Sequence, residues 1–173
     1  NLYGFADGDP ISHSDPFGLC PYAGKNRSTK VDDCPDDDRK AVFQAIAANP
    51  SHEAQTTLQF FALLELDFKL RDAEFSCGRK TTDGCTRDGR LIEVNGSQPG
   101  GRFAVATTVI HEVFHAIVYA SKLRLPYDEG WAWNRALNFY ESLSPAHQSS
   151  PKYNRHLNLR QKLGTEAFVR RYK

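Results

Sequence analysis

The sequence has no Cys-x-x-Cys pair, although it contains four cysteines. A zinc ribbon is therefore not expected, because such sites are built from closely spaced cysteine pairs. Two disulfides are expected instead, Cys20–Cys34 and Cys77–Cys85, since each would close a short, turn-rich loop. Four reduced cysteines are the open alternative. If the disulfides form, the folded protein spends time in an oxidising compartment.

Charge of one sign is not in excess, because 22 basic residues face 21 acidic ones for a net charge of +1. This balance gives no reason to expect nucleic acid or an anionic membrane as a partner. No basic start is followed by an apolar run, so no signal peptide is expected. The longest apolar stretch, about 103–120, carries two histidines and a glutamate in its middle. It is therefore expected to be a buried active-site helix and not a membrane span.

That stretch contains His111-Glu112-Val113-Phe114-His115. Histidines four residues apart lie on one face of an α-helix, so both imidazoles can reach one metal ion. Glu112 projects to the side, where it can deprotonate a metal-bound water without being a ligand itself. The alternative is a buried helix with two satisfied core histidines.

A third ligand is needed, since catalytic zinc takes three protein ligands and a water. Glu129 lies 14 residues after His115, in a Glu-Gly-Trp-Ala sequence that opens another predicted helix. His-Glu-x-x-His followed by Glu-Gly-x-Ala resembles the gluzincin branch of the zinc metallopeptidases. The resemblance implies a zincin-like fold, Zn²⁺ held by His111, His115 and Glu129, and Glu112 as general base. Should Glu129 not bind the metal, the next candidates are Asp128, His147 and His156.

The remaining pattern predicts an α+β domain, mainly helical with a small antiparallel sheet. Helices are expected at about 39–48, 52–74, 129–143 and 158–173, and Cys77–Cys85 would staple a small hairpin. Leu91, Ile92, Glu93 and Val94 form an alternating strand. The resembling peptidases place an edge strand before the metal helix, so substrate is expected to pair with these four residues. His147, Tyr140 and Tyr153 remain open as donors to the oxyanion.

Residues 1–19 differ from the rest, with Asn1-Leu2-Tyr3, Asp9-Pro10 and Asp15-Pro16-Phe17-Gly18-Leu19 in order. This order resembles the end of the core of Rhs/YD-repeat proteins, bacterial shells that carry a variable toxin domain. The resemblance implies self-cleavage at the Leu19–Cys20 bond, with Asp15 involved. Gly8 departs from the asparagine usual before the Asp-Pro. The chain is thus divided into an Rhs end (1–19) and a toxin domain (20–173).

Together the two resemblances predict a zinc metallopeptidase toxin, secreted as an effector and acting in the periplasm or cytoplasm of a competing cell. Its substrate would be a target-cell protein, and its partners the Rhs shell before release and a cognate immunity protein. Two alternatives stay open. One is hydrolysis of a cell-wall peptide or another amide at the same metal site. The other is a non-catalytic zincin-like binding module.

Overall fold

The computed structural model describes residues 37–78 and 80–172, which form an α+β protein that is mainly helical. The helices are α1 (Asp37–Ala47), α2 (His52–Leu63), α3 (Gly101–Ser121), α4 (Asp128–Ser142), α5 (Pro151–Leu163) and α6 (Thr165–Arg171). The strands are β1 (Asp67–Arg71), β2 (Phe75–Cys77), β3 (Lys80–Thr82), β4 (Gly84–Arg87) and β5 (Leu91–Asn95). The predicted fold class is confirmed at this level. The Rhs-like residues 1–19 and the Cys20–Cys34 pair lie outside the described residues.

The boundary between α1 and α2 follows from local chemistry. Asn49 precedes Pro50, and a residue before proline is driven out of the helical region. The Asn49 side chain accepts a hydrogen bond from the Ser51 backbone N–H (2.8 Å), and the Ser51 hydroxyl accepts one from the Ala54 N–H (3.3 Å). Ser51 is therefore the N-cap of α2, as its position predicts.

The predicted helix 52–74 is too long. α2 ends at Leu63, Glu65 takes a left-handed conformation (φ 53°), and β1 begins at Asp67. Leu66 and Phe68 are buried while Lys69 is exposed, so the chain buries alternate residues here as a strand does.

The sheet is mixed and not purely antiparallel. Its order is β1-β5-β4, with β1 parallel and β4 antiparallel to β5. The β4–β5 turn has positive φ at both Asp88 and Gly89, which is the hairpin turn that an Asp-Gly sequence favours. β2 and β3 pair separately, and the predicted Cys77–Cys85 disulfide joins β2 to β4.

β5 is not the edge strand that the resemblance implied. Both of its sides are hydrogen-bonded, one to β1 and the other to β4, so no backbone groups remain for a substrate strand. Ile92, Glu93 and Val94 are also buried, and Leu91 is half-buried. Assigning substrate binding to Leu91, Ile92, Glu93 and Val94 was therefore wrong. The edges of this sheet are β1 and β4.

α3 is the central element and packs against α1, α2, α4, β4 and β5. By length and composition it is the one described helix that could cross a membrane, and 61% of its most apolar window is buried within the protein, as in a core helix. The predicted C-terminal helix 158–173 starts earlier, at Pro151, and is broken at Gly164 (φ 79°) into α5 and α6. The chain reverses at Gly164, and α6 packs against α4.

Candidate metal centre

The two histidines of α3 converge as their spacing predicts. His111 is buried, His115 is half-buried, and their Nε2 atoms are 3.2 Å apart. The Trp133 and His111 rings pack in a T-shaped arrangement, with centroids 5.1 Å apart. His111 Nδ1 is buried with no hydrogen-bond partner among the described residues. The ring therefore packs on Trp133, and its polar contacts are made at Nε2 and not at Nδ1.

Glu129 reaches the same point from α4. Tyr127 takes a left-handed conformation (φ 63°) just before the helix, and Asp128 Oδ1 accepts a hydrogen bond from the Glu129 backbone N–H (2.8 Å). Glu129 Oε1 lies 3.4 Å from His111 Nε2, and Oε2 lies 3.2 Å from His115 Nε2. The first turn of α4 thus brings a carboxylate to both imidazoles.

The spacing of these atoms is compatible with a shared metal ion. Ligand atoms bound to zinc at 2.0–2.2 Å in tetrahedral geometry are separated by about 3.3–3.5 Å. Each imidazole here faces a different oxygen of Glu129, and one ligand atom from each of the three residues lies within 4.8 Å of the others. His111, His115 and Glu129 could therefore hold a metal ion, as a set of two imidazoles and one carboxylate.

The electrostatics of the cluster also favour a positive charge. Burial raises the pKa of Glu129, but the hydrogen bonds and charges of His111 and His115 outweigh it and hold that pKa far below its ordinary value. Burial lowers the pKa of His115, but the hydrogen bond to Glu129 and the nearby acidic charges raise it overall. Glu129 is thus ionised at neutral pH and stabilises a positive charge among the three side chains.

Glu112 lies outside the ligand cluster, buried between α3 and β4. The Thr86 hydroxyl oxygen is 2.9 Å from Glu112 Oε2 and 2.8 Å from the Glu112 carbonyl oxygen, so its one proton can be donated to either. A side chain at position 84 would meet Glu112 Oε1 at 2.6 Å. β4 therefore needs glycine there to approach the carboxylate.

Three aromatic residues that the sequence did not connect surround the centre. The His156 ring stacks on Trp133 (centroids 3.9 Å apart), and His156 Nδ1 is 2.6 Å from the Tyr172 hydroxyl. Burial and the charges of Lys152 and Arg155 lower the pKa of His156 to about 4, so it is neutral at physiological pH. Trp133, four residues after Glu129, was the only one with a local signal.

The structure gives other partners to the remaining candidates. His147 stacks on Phe103 (3.8 Å between centroids) at the start of α3. The buried Tyr140 hydroxyl bonds to Ser150 and Asn154, and the buried Tyr153 hydroxyl is 2.5 Å from Thr108 Oγ1. None of these three is placed among the metal-binding atoms, and Asp128 and His156 do not join the ligand cluster either. The self-cleavage residues Asp15, Leu19 and Cys20 lie outside the described residues.

The centre thus consists of three side chains on α3 and α4 that could hold a metal ion, and a carboxylate held beside them by β4. Its three ligand atoms lie within 4.8 Å of one another. In comparisons with known proteins, no family model, curated protein or solved structure matched the chain.

Proposed function

We propose that the protein is a zinc-dependent metallopeptidase of zincin-like type, with His111, His115 and Glu129 as ligands. The observation that carries the proposal is the convergence of these three side chains while Glu112, between the two histidines in sequence, stays out of the cluster and is held by Thr86. A site that only binds metal has no need of a positioned carboxylate there. Hydrolysis does, because it requires a group that takes and returns a proton.

Zinc at this site would supply a Lewis acid and lower the pKa of a water to about 7. Glu112 accepts the proton of the attacking water and returns it to the leaving amine. Thr86 orients Glu112 by donating a hydrogen bond to its carboxylate. An extended substrate would pair with the outer edge of β4 at Thr86, which adjoins Glu112, because the backbone groups of Gly84 are bonded to Thr82.

The proposed route of delivery rests on residues 1–19, which resemble the end of an Rhs core. The domain would be carried in an Rhs shell, released by cleavage at Leu19–Cys20, and delivered into a competing cell. There it would hydrolyse a target protein in the periplasm or the cytoplasm. An immunity protein would neutralise it in the producing cell.

The test compares the wild-type protein with Glu112→Gln, which keeps the size of the side chain and removes the base. We expect zinc content to be unchanged and growth inhibition to be lost, whether the chain is directed to the periplasm or the cytoplasm of a bacterial host. Zinc is measured by elemental analysis and cleavage by proteomic comparison of the two cultures. Equal inhibition by both forms would remove Glu112 from the mechanism.

A further inference from the structure

The connection between the two helices of the candidate metal centre is exposed along its whole length. All nine residues from position 119 to 127 are exposed, and they include the end of α3. Lys122 and Tyr127 take left-handed conformations (φ 55° and 63°), and Pro126 has a fixed φ, so the path of the chain is restricted between them. The segment is therefore a shaped projection of the surface. We call it the α3–α4 loop.

The α3–α4 loop carries most of the exposed large apolar side chains. Among the described residues, seven large hydrophobic side chains are exposed, and four of them lie on this loop. A fifth, Trp131, is 42% exposed in the first turn of α4. Contiguous apolar surface rimmed by polar groups marks a binding site more often than scattered exposed residues do. The four are Tyr119, Leu123, Leu125 and Tyr127.

The charged groups of the loop are all basic. Lys122 and Arg124 alternate with two leucines at 122–125, and no acidic residue occurs from position 113 to 127. Among the described residues neither cation forms an ion pair, although Asp88 and Asp128 line the same cavity as Lys122. The net charge of the whole chain is only +1, so the positive charge here is a local property. An anionic partner is therefore expected at this loop and not at the surface as a whole.

We propose that the α3–α4 loop docks on an anionic lipid surface. The two leucines enter the boundary between headgroups and acyl chains, and the basic side chains beside them bind the lipid phosphates. Tyrosine and tryptophan favour the same boundary, because each ring has an apolar body and a polar tip. A protein partner fits less well, since lysine is depleted in protein–protein interfaces. The inference is independent of the proposed peptidase function.

Docking brings the candidate metal centre to the lipid surface. Tyr119 lies one turn after His115 on α3, and both side chains line one cavity with Lys122. On the other side of the loop, Trp131 lies two residues after Glu129 on α4. The metal-binding candidates therefore adjoin the docking loop on both helices.

The experiment measures the partition of the full chain onto vesicles by co-sedimentation. One set of vesicles is phosphatidylcholine alone, and the other is phosphatidylcholine and phosphatidylglycerol in equal parts. We expect binding to the anionic vesicles, weakened by high salt, and little binding to the neutral ones. Trp131 gives a second readout, because the chain has two tryptophans and Trp133 is buried. The emission should shift to shorter wavelength on anionic vesicles, and Trp131→Phe should lose this shift.

Removing the charge of the loop tests its electrostatic part. Lys122→Ser with Arg124→Ser should lower the partition coefficient about thirtyfold, since each basic residue near such a surface contributes about fivefold. Lys162→Ser with Arg171→Ser is the matched control, because it removes two exposed charges from α5 and α6. The control should retain most of the binding. All four positions are exposed, and thermal unfolding verifies that each variant is folded.

Removing the leucines tests the apolar part. Leu123→Ser with Leu125→Ser should lower the partition coefficient by more than about tenfold, because the apolar surface that leaves water on docking is lost. Leu63→Ser is the control, since Leu63 is 72% exposed but lies at the end of α2. Absence of binding to anionic vesicles, equal binding to both vesicle types, or equal losses in loop and control variants overturns the inference. Self-association in sedimentation velocity that the leucine variant abolishes, without vesicle binding, would assign the loop to a second copy of the chain instead.

Discussion

Glu129 is the residue on which the metal centre depends most, because the other two ligand candidates come from a single turn of one helix. Two imidazoles 3.2 Å apart offer a cation two neutral donors. Glu129 adds a third donor and the negative charge that attracts the cation, and its lowered pKa shows how strongly the site favours its ionised form. The affinity for metal should therefore fall sharply without it.

We expect Glu129→Ala to weaken zinc binding by more than about a hundredfold, beyond the 10–100-fold typical of losing a partner outside the ligand set. Isothermal titration with zinc chloride measures the change. Glu166→Ala is the control, since the Glu166 side chain is 80% exposed and its one ion pair among the described residues is with Arg170. Unchanged affinity in Glu129→Ala would mean that the third ligand lies elsewhere, with Asp128 or His156 next to be tested.

Glu93, on the central strand, gives the fold a pH dependence of its own. Its side chain is 2% exposed and accepts hydrogen bonds from Arg71 and Arg87. Burial raises the pKa of Glu93, but the two guanidinium groups lower it by more, so it lies below the ordinary glutamate value. A lowered pKa stabilises the folded state above the unfolded value of roughly 4.3, and this contribution disappears as pH falls through the folded value.

Glu93→Gln should therefore lower the free energy of unfolding by about 2 kcal/mol at neutral pH, the scale of hydrogen bonds to a charged group. The difference from the wild type should shrink as the pH falls from the ordinary glutamate value of roughly 4.3 down through the lower folded value, because the wild-type carboxylate then becomes protonated as well. Urea unfolding at a series of pH values measures both. A difference that stays constant with pH would show that the charge of Glu93 does not stabilise the fold.

At the scale of elements, two errors of the sequence interpretation have one cause. Residues 58–70 have apolar side chains at three- and four-residue spacing, which predicts a helix, but from Leu64 to Arg71 apolar and charged residues also alternate strictly. The alternation prevails after Glu65, and the segment becomes β1. Because β1 was missed, nothing in the sequence interpretation contradicted the edge strand that the resemblance implied for β5. The ends of β5 were predicted to within one residue. Its local pattern therefore identifies the strand, but not the strands that pair with it.

The packing of α6 on α4 depends on a glycine, and this can be tested by substitution. Gly130, one residue after Glu129, faces the backbone of Val169, and a Cβ at position 130 would overlap the Val169 carbonyl. Gly130→Ala should therefore destabilise the protein by about 1–3 kcal/mol through overpacking, although alanine is the better helix former. Thermal unfolding measures the loss. A stability at or above that of the wild type would mean that α6 does not lie on α4 at this point.

For the molecule as a whole, those parts of the candidate site could be predicted whose residues lie close together in the sequence. His111, Glu112 and His115 share one helix, so their spacing alone fixes their geometry, and Glu129 was placed by the break before the next helix. The support from Gly84 and Thr86 was not predictable, since it comes from a strand more than twenty residues earlier. His156, on α5, and Tyr172, at the end of α6, likewise reach Trp133 only through the packing of these later helices against α4.

A metal held between α3 and α4 should also stabilise the entire fold. Any ligand that binds only the folded state adds stability by mass action, about 2.7 kcal/mol at a hundred times its Kd. Removal of zinc with EDTA should therefore lower the melting temperature of the wild type by several degrees, an effect read by differential scanning calorimetry. Glu112→Gln should keep this shift and His115→Ala should lose it. An identical melting temperature with and without zinc would contradict the site.

The disulfide on β4 makes the candidate metal centre sensitive to the redox state of its compartment. Three consecutive residues of β4 make different contacts. Gly84 packs on Glu112, Cys85 forms the disulfide with Cys77, and Thr86 bonds to the Glu112 carboxylate. Reduction of the bridge would release the middle residue of this trio and loosen the support of its two neighbours. Thiol reductants of a host cytosol would therefore gradually weaken the positioning of Glu112, whereas an oxidising periplasm would preserve it.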